Sequence, residues 1–425
     1  MIISFTVRNF KSIKEESTLN FWAENIDDTH CDNIAYPDKN KSIPVLRSAG
    51  IWGANASGKS NFWNALRHLQ HFVVFSHKND LDSPIKEYVP FKLDGISCSM
   101  PTFFEIDFIG RDKEHYTYSV EFNNKKIISE SLSFFASAKA SNLFRRELID
   151  DKLTIKFGAK LTGAKALSCR ENQSYLSVAG NTESSSTQIK NIFRFIRDDI
   201  NFISNYISVF SPNLLLNDKY LKALSTLLGC ADTGISEVYS KEEAVSIDKL
   251  PKNLPETLKS RFLHDFKYQP AFKHNERLEE FSLQEESGGT QRLYNISPMI
   301  LQGISEGSIW IVDEMDSLLH PYILELIIRL FHDRLINKKS PQLIFTTHCT
   351  ALLNSDIFRR DQIYFTKKNG AGCTELSSLD QYSIRADSNF EKWYREGRFE
   401  AIPQIKFSIL RDMIMEMNSH LDEAE

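Results

Sequence analysis

The sequence predicts an α/β fold: a mixed sheet with a parallel core, an antiparallel β region and a mainly helical insertion. Ile309–Asp313 and Gln342–Thr347 are compact β-branched runs of the kind buried on both faces, and Leu318–Leu335 between them has helical spacing. Strand, helix, strand in that order implies parallel pairing. Val45–Trp52 reads as a further strand that enters a glycine-rich turn, after which Phe62, Ala65, Leu66, Leu69 and Val73 fall on one helical face. Finally, Thr102–Ile109, His115–Phe122, Lys126–Phe135 and Leu153–Phe157 are short alternating segments separated by turn residues, the pattern of an antiparallel meander.

The remaining elements follow in order. Residues 2–8 (IISFTVR) alternate as a half-buried strand does. Beyond the meander the pattern changes, with helical periodicity over Gln188–Val209, Lys219–Leu228 and Leu254–Phe266. At about 150 residues per domain, 425 residues suggest two or three units. The expected division is an N-terminal lobe over 1–165, a mainly helical insertion over 166–280, a C-terminal lobe over 281–385 and a C-terminal segment over 386–425.

Composition narrows the function classes. Hydrophobic residues are 41% and charged residues 25%, a globular balance. Lys and Arg total 51 against 56 acids, a net charge of -5, so any nucleic-acid surface must be a local patch rather than a general coat. The six cysteines never stand at C-x-x-C spacing, which excludes a zinc ribbon read from local pattern and points to free thiols in a reducing compartment. No apolar run approaches the length of a membrane span, and a cytoplasmic location is expected.

Four motifs carry chemistry. Gly53-Ala54-Asn55-Ala56-Ser57-Gly58-Lys59-Ser60 is a complete G-x-x-x-x-G-K-S phosphate loop between a predicted strand and a predicted helix. Its glycines allow the backbone to approach phosphates, and the helix N-terminus adds positive field. Lys59 is expected to reach the β- and γ-phosphates of ATP, and Ser60 to hold Mg2+. Ile309–Glu314 is the matching apolar strand, delivering Asp313 to the metal and Glu314 to the attacking water. A two-metal nuclease reading of Asp313-Glu314-Met315-Asp316 lacks a further acid cluster nearby. The third motif is Ser287-Gly288-Gly289-Thr290-Gln291 ahead of an apolar helix, and the fourth is Thr346-Thr347-His348 at the end of a strand.

In this order the motifs resemble those of the ABC-type ATPases, including the SMC-, RecF- and OLD-like heads. The resemblance implies that Ser287, Gly288 and Gly289 complete the ATP site of a second subunit, that His348 contacts the γ-phosphate, and that Met315–Leu318 forms a D-loop. Val7–Ser12 is similar to the N-terminal strand end of SMC- and RecF-like heads, where neighbouring residues approach the nucleotide. Tyr88–Leu93 and Tyr394–Pro403 resemble AAA/ABC-like ATP-binding proteins of bacterial abortive-infection and anti-phage operons, and the likeness runs over about residues 1–405. The chain departs from the pattern in having no glutamine near Tyr88–Phe91 for a Q-loop.

The resemblance implies an ATP-hydrolysing switch or scaffold in anti-phage defence, a homodimer or higher homo-oligomer that controls a separate effector, in this reading a nuclease. No Toprim-like D-x-D follows His348, so no effector is legible in the chain itself. The alternative is a RecF-like ATPase that binds DNA directly through Lys259, Arg261, Lys267, Lys273 and Arg277, which interleave with aromatics. A transporter subunit is disfavoured, because such subunits lack the meander and the insertion.

Overall fold

The computed structural model describes residues 1–24, 30–136, 139–150, 152–161, 167–204, 212–242, 267–275, 279–385, 388–403 and 405–422. The first strands are β1 (Ile2–Arg8), β2 (Ser17–Asn20), β3 (Ile34–Ala35), β4 (Val45–Leu46) and β5 (Ser48–Gly53). The meander is β6 (Thr102–Ile109), β7 (His115–Phe122), β8 (Ile127–Phe135), β9 (Ala140–Ile149) and β10 (Lys152–Phe157). Then come β11 (Ile200–Ile203), β12 (Ile235–Glu242), β13 (Tyr268–His274) and β14 (Glu280–Ser282). The last strands are β15 (Ile309–Val312), β16 (Gln342–Thr346), β17 (Ile363–Lys368) and β18 (Thr374–Ser378).

Two large sheets organise the molecule. The antiparallel one runs β10-β9-β8-β7-β6-β1-β2. Its alternation is strict in β7, where Tyr116, Tyr118, Val120 and Phe122 face inward. The second sheet runs β11-β15-β16-β5-β17-β18, parallel throughout except for β18 at one edge. Every residue of β5, β15 and β16 is buried, as the β-branched runs required. One face of this sheet, with Ile51, Ile311 and Ile344, shares a core with the antiparallel sheet and with helix α1 (Lys59–Phe75). The other face, with Trp52, Trp310, Val312 and Phe345, packs against the helices Gly288–Pro298 and Pro321–His332.

Three expectations are corrected. The single strand over Val45–Trp52 is two, because β4 pairs with β3 while β5 enters the parallel sheet. Ala140–Ile149 is a fifth meander strand. The helix expected over Gln188–Val209 ends at Asp199, and Ile200–Ile203 pairs in parallel with β15 as an edge strand of the main sheet. A short Ile-Asn-Phe-Ile run fits either period, and the open edge of β15 decides it. Between 166 and 280 the described residues hold the helices Tyr175–Gly180, Thr187–Arg194 and Asp218–Cys230, but also the three-stranded sheet β12-β13-β14. The helix expected over Leu254–Phe266 lies outside the described residues. No helix among the described residues is long and apolar enough to cross a membrane.

Candidate functional site

The phosphate loop connects β5 to α1 at the carboxyl end of the parallel sheet. Gly58 caps α1 at φ 107°, and a Cβ there would stand 2.0 Å from Thr374 Oγ1. Both backbone conformation and space therefore demand glycine. Thr374 Oγ1 donates to the Ser57 carbonyl at 2.9 Å and lies 2.6 Å from Ser12 Oγ, which also accepts from Asn61 Nδ2. Ser57 Oγ is engaged by Thr366 Oγ1 at 2.7 Å. The Ser57 side chain thus braces the loop from behind, while Asn55 is exposed at its tip. Asn9 donates to the Ser97 and Met100 carbonyls and accepts from the Phe91 N–H, so it fixes the Asn9–Ser12 turn. Ser12 joins that turn to the loop.

The Asp313 and Glu314 carboxylates follow directly on β15. Ser60 Oγ donates to Asp313 Oδ1 at 3.0 Å, and Thr346 Oγ1 donates to the same oxygen at 2.6 Å. Thr346 Oγ1 in turn accepts the Glu314 N–H at 2.8 Å, and its carbonyl accepts the Met315 N–H at 2.9 Å. One side chain on β16 thereby fixes both the Asp313 carboxylate and the backbone of Glu314, which is held at φ 48°. Such strained backbone is expected where a side chain must be aimed.

Lys59 is buried, and its ammonium donates to the Gly53 and Ala54 carbonyls at 2.9 and 3.1 Å. Burial pulls its pKa below the ordinary lysine value, and Asp313, Asp316 and Glu314 oppose that shift. The His348 backbone N–H donates to Asp316 Oδ2 at 3.1 Å. Burial and the Lys59 charge push the imidazole pKa down, so the neutral ring is favoured. Lys59, Ser60, Asp313, Glu314 and His348 therefore share one electrostatic environment. Ser60 and Asp313 offer hard oxygen donors on one spot, a set that fits Mg2+. The loop amides and Lys59 fit the phosphates.

Ser287, Gly288 and Gly289 stand elsewhere. Ser287 caps its helix by accepting the Thr290 N–H at 3.2 Å, and a Cβ on Gly289 would stand 3.0 Å from the Leu318 carbonyl. Their near neighbour is the exposed Leu318, and no hydrogen bond among the described residues joins them to Gly53–Ser60. Arg292, one turn further along, is buried, with its Nε and Nη2 lacking hydrogen-bond partners among the described residues. Burial lowers its pKa, and the Glu314 carboxylate opposes the shift. Thr346, Thr366, Thr374 and Arg292 had no separate reading in the sequence. A threonine at the end of a strand that follows an Asp-Glu strand is the one linear signal available for Thr346.

The basic stretch Lys259–Arg277 lies mostly outside the described residues. Its two described lysines are ion-paired, Lys267 with Glu242 and Lys273 with Glu237, each at 2.9 Å.

A phosphate loop at the carboxyl end of a parallel sheet, with a carboxylate pair following β15 of the same sheet, is the arrangement of a P-loop ATP-binding protein of the AAA type. Residues 48–354 match the family model described as "AAA domain, putative AbiEii toxin, Type IV TA system", and the chain belongs to that family. The SMC head domain from Thermotoga maritima is similar at 13% identity over 89% of this chain and 98% of its own, with a TM-score of 0.40. An Smc head domain from Pyrococcus furiosus, bound to the C-terminal domain of ScpA, is similar at 10% identity over 89% and 97%, with a TM-score of 0.41. No curated protein matches the chain.

Proposed function

We propose that this protein is an ATP-hydrolysing switch or scaffold of bacterial anti-phage defence, which dimerises around ATP and controls a separate effector, a nuclease in this reading. The observation that carries the ATPase is the chain of contacts from Ser60 through Asp313 and Thr346 to Glu314. Lys59 and the amides of Gly53–Ser60 bind the β- and γ-phosphates, and Ser60 and Asp313 hold Mg2+. The metal supplies charge neutralisation across the phosphate oxygens. Glu314 orients a water and accepts its proton, and neutral His348 donates a hydrogen bond toward the γ-phosphate.

The composite site rests on a second observation. Ser287–Gly289 packs on the Leu318 loop rather than on the phosphate loop of its own chain. A helix N-terminus of this kind serves a phosphate brought by another subunit. ATP would close the pair and hydrolysis would release it, the two-state element of a switch. The family's description as a putative AbiEii toxin supports the defence setting.

The test is ATP binding and turnover of purified protein and two variants. Lys59→Ala should lose nucleotide binding. Glu314→Gln should bind ATP but turn over about a hundredfold more slowly or worse. Turnover retained in Glu314→Gln would remove that residue from its role.

A further inference from the structure

We propose that a groove at the end of the parallel sheet opposite the phosphate loop binds single-stranded nucleic acid. Ser308 and Ser340, which precede β15 and β16, line it, whereas Asp313 and Thr347 leave those strands toward the ATP site. The main cavity, about 810 Å³, is also lined by Tyr36, Lys39, Lys41, Lys113, Lys338 and Lys339. A second cavity of about 380 Å³ shares Asp38, Lys39 and Lys113 with it and ends at Trp22. The backbone N–H of Lys39 donates to the Lys113 carbonyl at 3.0 Å, so the two lysine loops are tied together where the cavities meet.

The charge balance of this groove differs from that of the chain. Its acids are mostly answered within it. Asp38 accepts the N–H groups of Ser42 and Ile43, Asp199 is bound by Arg111, and Glu114 faces Lys39 at 3.5 Å. Asp198 is bound by Arg197. Asp38 and Glu306 are the lining acids without a cation partner among the described residues, against Lys41, Lys113, Lys338 and Lys339, none of which forms an ion pair among them. Within a chain of net charge -5, this concavity thus carries a local excess of positive charge, four ammonium groups against two carboxylates.

Two aromatic rings complete the site. Tyr36 is 49% exposed and Trp22 is 38% exposed, one in each cavity. Exposed aromatic faces beside a basic track are what single-stranded binders use, the rings stacking on bases and the cations following phosphates. A duplex hides its bases from such rings, whereas a single strand presents them. The groove is independent of the ATP reading, since it shares no residue with that site.

The experiment measures fluorescence anisotropy of labelled oligo(dT) and oligo(U) of about 12 nucleotides, a length within the usual site-size range. Wild type should bind at low salt, with an affinity that falls steeply as salt rises. Four phosphate contacts correspond to a log-log slope of about -3. The triple variant Lys41→Glu, Lys113→Glu, Lys339→Glu should weaken binding at least tenfold while ATP binding is unchanged, which controls for folding. Tyr36→Ala should weaken it about tenfold with the salt slope preserved. Absence of binding to either oligonucleotide, or binding indifferent to the triple reversal, overturns the proposal. So does displacement by polyglutamate of a ligand insensitive to Tyr36→Ala, which would assign the groove to an acidic protein segment.

Discussion

Replacing Thr346 by valine removes one hydroxyl and almost no volume, at a position only 3% exposed. That hydroxyl donates to Asp313 Oδ1 at 2.6 Å and accepts the Glu314 N–H at 2.8 Å. Losing a hydrogen bond to a carboxylate costs about 1.5–3 kcal/mol, and a buried N–H left without an acceptor costs about 1–3 kcal/mol. Solvent reaching the partly buried Glu314 segment offsets some of the second cost, so a stability loss of about 2–4 kcal/mol is expected. The kinetic effect should exceed what stability alone explains. Glu314 is held at φ 48° by this contact, and a displacement of about 1 Å can cost a hundredfold in rate. The assay is steady-state ATP turnover beside nucleotide affinity, with Thr346→Ser as the conservative control. Thr346→Val should lower kcat by one to two orders of magnitude while changing ATP affinity much less, and Thr346→Ser should restore most of it. If Thr346→Val turns over at the wild-type rate, the hydroxyl does not position Glu314 and the reasoning fails.

Other consequences are equally direct. Ser287→Arg places a long cation at the cap of the signature helix, so ATP-dependent pairing should vanish while each monomer still binds nucleotide; sedimentation of that variant with ATP decides, and persistent pairs would sink the composite site. His332 is buried against Ser48 Oγ at 2.7 Å, and burial with nearby cations holds its pKa down to about 3 against 6.5 in the unfolded chain. Because the folded pKa is depressed, the unfolded state takes up the proton first, and stability is lost as pH falls from about 6.5 toward 3, by about 1.4 kcal/mol per unit. Denaturant titrations at pH 7.5 and pH 5 should show this slope flatten in His332→Gln; equal slopes in both proteins would contradict the assignment.

How much was legible follows from where each partner sits along the chain. The phosphate loop is contiguous, so strand, glycines, Lys59 and helix declared themselves together, and the apolar β15 and the Leu343–Phe345 run of β16 did the same for Asp313 and His348. The bracing of that loop by Thr366 and Thr374 was not legible, because their contacts with Ser57 span more than three hundred residues. Strand β9 was hidden for a different reason. It carries Arg145, Arg146 and Glu147 where alternation demands an apolar inward residue, yet Arg146 is buried and pairs with the wholly buried Glu130 at 2.7 Å. Glu130 also accepts from Tyr118 Oη, Ser174 Oγ and the N–H groups of Tyr175 and Leu176, so the meander turns a polar hub inward. Edge strand β11 was read as helix because its four residues satisfy both periods, and only the unpaired side of β15 distinguishes them.

The central claim is that two copies share ATP, each giving Lys59, Asp313 and Glu314 on one side and Ser287–Gly289 on the other. The most direct measurement is the native mass of Glu314→Gln with and without ATP–Mg2+. The account predicts a doubling of mass that appears with ATP and is abolished by adding Ser287→Arg. A mass that ignores ATP, in a variant shown to bind it, would contradict the account.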